Sequence, residues 1–165
     1  MADTIKDISG TRITRVYSAK FYFFKYITET NIEYFDIFPL ILSLGKIGKV
    51  ITGLNFHYLP PKMRIPLLNQ MMKLKPDMIQ SPVAFAKHFK KLVWAQRKWR
   101  PAQTCFKRYV LEDIRGGKIL RIERPDWEKV MMQEKVEKFV SGQNQRVNIK
   151  KVWRDSIRKI RGMKI

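Results

Sequence analysis

Two apolar, β-favouring runs joined by a short glycine-flanked segment most constrain how this chain can fold. The first run is FPLILSL at residues 38–44, the second covers residues 49–59, and GKIG at 45–48 separates them. This arrangement is typical of a β-hairpin. From Leu54 onward the side chains of the second run alternate, which predicts one buried face. Gly53 inside that run indicates a bulge or a sharp bend.

The flanking patterns predict further strands and several helices. The aromatic segment KFYFFKY at residues 20–26 and the run at 119–122 favour strands, whereas RGGK at 115–118 is typical of a turn. Proline-led segments with apolar residues at helical spacing predict helices that begin near Pro61, Pro82, Pro101 and Pro125. We expect the helix from Pro101 to carry Phe106 to Leu111 on one side, and the helix from Pro125 to continue to Val140.

The order of these patterns predicts an α+β protein: a small antiparallel β-sheet or β-barrel core with inserted and C-terminal helices. A length of 165 residues favours one domain with extensions. We assign residues 1–18 to an N-terminal arm and residues 19–140 to an α+β core domain with a basic helical insertion. Residues 141–165 are assigned to a basic amphipathic C-terminal helix.

The charge balance indicates a polyanionic partner. The chain carries 34 Lys and Arg against 14 Asp and Glu, a net charge of +20, and residues 62–124 alone carry 16 basic and 4 acidic side chains. Such an excess repels itself in the compact state, so a neutralising partner is expected. Nucleic acid is the commonest one, because phosphate neutralisation releases counterions. An anionic membrane is the main rival, and a merely solubilising surface remains an alternative. The 45% of hydrophobic residues exclude a disordered polycation.

No pattern in the sequence argues for an enzyme, a metal or a cofactor. Cys105 is the only cysteine, which excludes an internal disulfide and a cysteine zinc site and favours an intracellular or particle-enclosed protein. His57 and His88 lie far apart without a ligand pattern, and structural roles are favoured for both. The GKIGK segment at 45–49 lacks the spacing of a phosphate-binding loop. No apolar stretch approaches the roughly 18 residues of a membrane span, and the N-terminus lacks an apolar signal core, so a soluble protein is predicted. A role at a membrane surface is disfavoured because nothing suggests lipidation or a deep insertion face.

Glu112, Asp113 and Glu123 are the acidic residues that would serve a metal-dependent nuclease. They match no known metal motif, and pairing with nearby Lys and Arg is the favoured interpretation. The nuclease remains a remote alternative.

A basic segment rich in aromatic residues supplies the candidate DNA-binding side chains. The candidates are Lys87, Lys90, Lys91, Trp94, Arg97, Lys98, Trp99, Arg100, Lys107 and Arg108. Lysine and arginine at this density can follow a phosphate backbone, and we favour that role for the cations. An exposed Trp94 or Trp99 could stack on bases at a frayed or single-stranded end. For this tryptophan pair, however, anchoring in the core is the favoured interpretation. The basic stretch at residues 150–161 could equally lie on a partner protein.

Four segments resemble one family of viral proteins. They are YFDIFPL at 34–40, GLNFHYLPP at 53–61, IERPDWE at 122–128 and KVWRDS at 151–156. They resemble small virion-associated proteins of large contractile-tailed bacteriophages, commonly labelled DNA end protector proteins, whose members carry "YYDxFPL" and "GxNxHYLPP" patterns. The chain departs from the first pattern at Phe35, where a second tyrosine is expected. The resemblance covers about three-quarters of the chain.

The resemblance implies a non-enzymatic phage virion protein that binds the packaged double-stranded DNA terminus near the head–tail junction and protects it from exonucleases. Its implied partners are the DNA terminus and virion proteins of the portal, neck or baseplate, with no membrane. Its implied location is the virion, and the host cytoplasm during assembly. The alternative is a structural neck, portal-associated or baseplate protein whose basic faces contact acidic partner proteins.

Overall fold

The computed structural model describes residues 11–13, 15–17, 19–29, 32–74, 82–133 and 138–162. The strands within these ranges are β1 Thr11–Ile13, β2 Phe21–Tyr26, β3 Tyr34–Asp36, β4 Leu40–Ile47, β5 Val50–Asn55, β6 Phe106–Val110, β7 Ile114–Ile122, β8 Phe139–Ser141 and β9 Arg146–Val147. The α-helices are α1 Pro61–Met72, α2 Pro82–Ala95, α3 Arg100–Cys105, α4 Trp127–Met131 and α5 Ile149–Gly162. The predicted α+β class is confirmed.

Antiparallel pairing builds one curled six-stranded sheet and one small three-stranded sheet. The order of the larger sheet is β1-β7-β2-β4-β5-β6, and that of the smaller sheet is β3-β8-β9. The predicted hairpin is confirmed as β4 and β5, with Ile47 paired to Val50 across a two-residue turn. Gly48 in this turn has a φ of 56°, which favours glycine at this position. Residues 11–13, placed in the arm by the sequence, pair with β7.

Gly53 approaches β4 so closely that a side chain does not fit. An ideal Cβ there would lie 3.0 Å from the Leu42 carbonyl oxygen and 3.1 Å from Ile41 Cβ. Opposite Gly53 the register shifts between Ser43 and Gly45, and Gly45 has a φ of 110°. The bulge predicted at Gly53 is therefore present, with its extra residue in β4, and it bends the sheet locally.

Both faces of the sheet are buried at the end of β5, so the prediction of a single buried face from Leu54 is wrong. β5 ends at Asn55, and Phe56–Tyr58 form a 3₁₀ turn. Asn55 and His57 are as fully buried as Leu54. Burial of these polar side chains is possible because each hydrogen-bonds a buried carboxylate, described below.

Two strands replace local structures predicted from the sequence. The helix from Pro101 ends at Cys105, and residues 106–110 form β6 because they pair with β5. The glycines at 116–117 lie within β7, where consecutive residues of β2 pair with Arg115 and Ile119, so the glycine segment bulges instead of reversing the chain. Likewise Phe139 belongs to β8, paired with β3, and not to a helix.

Helices α1 and α5 are tied to the core by buried side chains. Helix α1 begins at Pro61 and includes Pro66. Its Arg64 is 1% exposed and donates hydrogen bonds to the carbonyl oxygens of Leu59 and Met131 at 3.0 and 2.8 Å. Helix α5 buries Val152 against the core, and the predicted amphipathic helix is thereby confirmed from residue 149.

Candidate nucleic-acid interface

Helix α3 contacts both of the two most basic helices. Its Ala102 and Cys105 are fully buried, so this short helix lies against the core. It contacts α2, the 3₁₀ turn Arg97–Trp99 and α5, as well as β5. The basic α2 and α5 therefore flank a common buried helix, although they are far apart in sequence.

Five of the predicted DNA-binding cations are exposed. Lys87 and Lys91 lie on α2, Arg97 and Lys98 lie in the 3₁₀ turn, and Arg108 lies on β6. Within the described ranges, none of the five forms an ion pair. Uncompensated cations on a solvated surface are available to phosphate groups.

Trp99 and Arg100 lie in the core and not on the surface. Each is 5% exposed, and the Trp99 indole Nε1 donates a hydrogen bond to Gln96 Oε1 at 3.2 Å. A ring buried to this extent cannot stack on a base, so Trp99 agrees with the favoured anchoring interpretation. Lys98 lies over this ring at 6.0 Å from the centroid. The side chains of Lys90 and Trp94 lie outside the described part of the structure.

Lys107 occupies a position that the sequence did not distinguish from the exposed lysines. It is half-buried on β6, and its Nζ lies 4.1 Å from the centroid of the Tyr58 ring. Burial and the nearby positive charge of Lys159 lower the pKa of Lys107 to about 8. The sequence gives no sign that these two lysines come together, because α5 meets β6 only in the folded chain.

Helix α5 adds a second set of exposed cations. They are Lys150, Lys151, Arg154, Arg158, Lys159 and Arg161. Lys151 is compensated, since its Nζ lies 3.0 Å from Glu33 and 2.9 Å from Asp155. The amphipathic pattern of this stretch had indicated its solvated face, but not its position beside α3.

The acidic residues considered for a nuclease lie in separate interactions. Glu112 pairs with Lys49 at 2.9 Å, and Glu123 pairs with Arg121 at 3.1 Å. Asp113 accepts a hydrogen bond of 3.4 Å from the Tyr26 hydroxyl. In the ranges that the structure covers, no group of three or more His, Cys, Asp or Glu side chains is placed to hold a metal ion.

The buried network around Asp36 has the character of a structural site. Its Oδ2 lies 2.7 Å from His57 Nδ1 and 3.0 Å from Asn55 Nδ2, and its Oδ1 accepts the backbone N–H of Phe38 at 2.9 Å. His57 is fully buried. The Trp153 indole of α5 donates a hydrogen bond of 3.0 Å to the His57 carbonyl oxygen. The network therefore joins the 3₁₀ turn to the sheet and to α5.

Cys105 has no access to solvent. The thiol is fully buried, and burial raises its pKa to about 12. A nucleophilic thiol needs the opposite environment, an exposed site that lowers the pKa.

These features define a basic α+β protein with an uncompensated cationic helical face. No helix among the described residues combines the length and apolarity needed to cross a bilayer. The chain belongs to the family of the Phage T4 terminal DNA protecting protein, whose family model matches residues 1–156. The resemblance to phage DNA end protectors is thereby confirmed. Neither the comparison with curated proteins nor that with solved structures gave a match.

Proposed function

We propose that this protein binds the double-stranded terminus of the packaged phage genome and shields it from exonucleases, without catalysing a reaction. One observation carries the proposal: a chain of the terminal DNA protecting family exposes cations that lack acidic partners within its described residues. The protein acts in the virion near the head–tail junction, after assembly in the host cytoplasm.

Binding is expected to depend mainly on the phosphate backbone and to tolerate any sequence. Lys87, Lys91, Arg97, Lys98 and Arg108 supply exposed cations, and Lys90 and Trp94 remain candidates from the same segment. Each neutralised phosphate contributes about 0.9 to the slope of log K against log salt. Trp99 and Arg100 contribute through packing, because both are buried.

The deciding experiment compares a blunt-ended duplex with a closed circle of equal length over a salt series. A terminal-binding protein prefers the blunt end and delays exonuclease digestion at concentrations that leave the circle unbound. Equal, weak binding to both DNAs without protection would contradict the proposal and favour a structural neck, portal-associated or baseplate protein.

A pair of charge-matched variants tests whether the cations on α2 carry the binding. Lys87→Gln combined with Lys91→Gln removes two uncompensated charges and should lower the salt slope by about two. The control combines Lys49→Gln with Arg121→Gln, which removes the same formal charge from residues already paired with Glu112 and Glu123. If both variants weaken binding equally, the total charge of the protein decides and no local surface is involved.

The position in the virion has its own test. Immunogold labelling of intact and DNA-released particles should place the protein at the head–tail junction, and nuclease treatment of opened particles should release it. Labelling of the baseplate, or retention after nuclease treatment, would contradict a position on the DNA terminus.

A further inference from the structure

A cleft lies where α3, β6 and α5 meet. It has a volume of about 450 Å³ and is lined by Gln103, Thr104, Lys107, Lys159 and Gly162. Pockets that bind small molecules usually have volumes of about 300 Å³ or more. The cleft therefore has room for a phosphate group with part of its sugar.

Two lysines give this cleft its electrostatic character. Lys107 is half-buried, Lys159 is exposed, and the two ammonium groups repel each other enough to help lower the pKa of Lys107. Within the described residues, neither lysine has an acidic partner, and the Lys107 ammonium contacts the Tyr58 ring. Among the described residues that line the cleft, none has an acidic side chain.

The remaining lining groups leave the site open to an anion. The Thr104 hydroxyl donates to the carbonyl oxygen of Pro101 at 2.9 Å, which fixes this side chain. Gln103 is exposed and carries an amide N–H₂ group. Gly162 has free space where a Cβ would stand.

The charge of a terminal phosphate matches this arrangement better than that of an internal one. A phosphomonoester has a second pKa near 6 and carries close to two negative charges at neutral pH. A phosphodiester within the strand carries one. Two ammonium groups without a counter-charge are therefore neutralised by one terminal phosphate, and the half-buried Lys107 gains most from this pairing.

We propose that the cleft between α3, β6 and α5 binds the terminal phosphate of a DNA end through Lys107 and Lys159. The proposal rests on the proposed function and deepens it, since it names the group by which an end differs chemically from the interior of the duplex. The exposed cations of α2 then bind the adjoining backbone.

The test measures binding to blunt duplexes that carry a 5′-phosphate, a 3′-phosphate or hydroxyls only, beside the same duplex closed by hairpin loops at both ends. We expect one of the phosphorylated ends to bind about tenfold more tightly than the hydroxyl end, the range of a charge-assisted contact. The 5′ and 3′ arms identify which phosphate enters the cleft.

Variants assign the preference to the cleft. Lys159→Met, at an exposed residue, and Lys107→Met, which retains an apolar chain against Tyr58, should each abolish the preference for phosphate. Lys91→Met, on α2, should weaken binding to all four duplexes by a similar factor and keep the preference. Thermal unfolding of each variant verifies that it is folded.

The outcomes separate the two proposals. Equal binding to open and hairpin-closed duplexes would overturn terminal binding itself. Preference for open ends that ignores the phosphate, or a phosphate preference that survives in both Lys159→Met and Lys107→Met, would overturn the cleft alone.

Discussion

Replacement of Lys107 by methionine should stabilise this protein at neutral pH. The pKa of Lys107 falls from 10.5 to about 8 through burial and the charge of Lys159. At about 1.4 kcal/mol for each pH unit, the protonated side chain costs about 3 kcal/mol of folding free energy. The contact with the Tyr58 ring at 4.1 Å returns about 1 kcal/mol. Lys107→Met should therefore raise the free energy of unfolding by about 2 kcal/mol at pH 7.

The pH dependence supplies a second signature. Between pH 8 and 10.5 the unfolded chain retains the Lys107 proton and the folded chain has lost it, so the free energy of unfolding rises with pH. Between pH 7 and pH 9.5 the free energy of unfolding of the unmodified protein should increase by about 2 kcal/mol relative to that of Lys107→Met. Urea denaturation at a series of pH values measures both quantities.

The control is Lys91→Met at an exposed position of α2, which should change stability by less than about 0.5 kcal/mol. Burial raises the pKa of Tyr22, Tyr26, Tyr34, Tyr58 and Tyr109. Burial likewise raises the pKa of Cys105 to about 12. These groups lower the free energy of unfolding above about pH 8 by an amount common to all three proteins, so their effect cancels in the comparison. Parallel pH curves for the unmodified protein and Lys107→Met, or destabilisation by this variant at pH 7, would show that the buried charge of Lys107 does not destabilise the fold.

Three further substitutions test the buried interior by urea denaturation. Arg64→Met leaves two backbone carbonyl groups without their donor and should cost about 2–4 kcal/mol; a loss below 1 kcal/mol would mean that water replaces the guanidinium. Asp36→Ala removes the acceptor of His57 and should cost about 3–5 kcal/mol, whereas an unchanged midpoint would exclude the network as a stabilising element. Gly53→Ala places a Cβ 3.1 Å from Ile41 Cβ and should cost about 1–3 kcal/mol, and a neutral result would show that β4 yields freely.

The local patterns that predicted structure correctly are those whose physical cause is itself local. Gly48 permits the tight turn between β4 and β5, and the hairpin follows from it. Pro61 and Pro82 each occupy the first position of a helix, where a missing N–H is tolerated. The apolar Val152 likewise lies on the buried side of the amphipathic α5.

The failures occur where pairing with distant residues overrides a local signal. Phe106 was assigned to a helix, yet it pairs with Leu54 as part of β6. The Gly116 segment has the composition of a turn, but it stays within β7. Strand β2 pairs with β7 both before and after the glycines, and β1 pairs with β7 after them. No local pattern reveals that β5 pairs with β6, because about 50 residues lie between the two strands in the sequence.

For the candidate interface, too, only those features that have a local cause could be predicted from the sequence. Lys87 and Lys91 were predictable, because charge on the polar side of an amphipathic helix is exposed. The difference between Lys107 and its neighbour Arg108 was not, because it depends on Tyr58 and on Lys159 of α5. The cleft between α3, β6 and α5 could not be predicted either, because the sequence pattern of no single element indicates it.

Strand β6 is an edge strand of the larger sheet, and this position bears on whether copies of the protein associate through their sheets at high concentration. Among the described strands, β6 pairs with β5 alone, so its outer rim offers backbone groups to a strand of another molecule. The N–H of Val110 on this strand already donates to the Tyr26 hydroxyl at 3.3 Å. If the β6 strands of two copies paired edge to edge, Lys107 and Arg108 of one copy would lie close to the same two cations of the other copy. The same charges therefore oppose growth of the sheet from molecule to molecule.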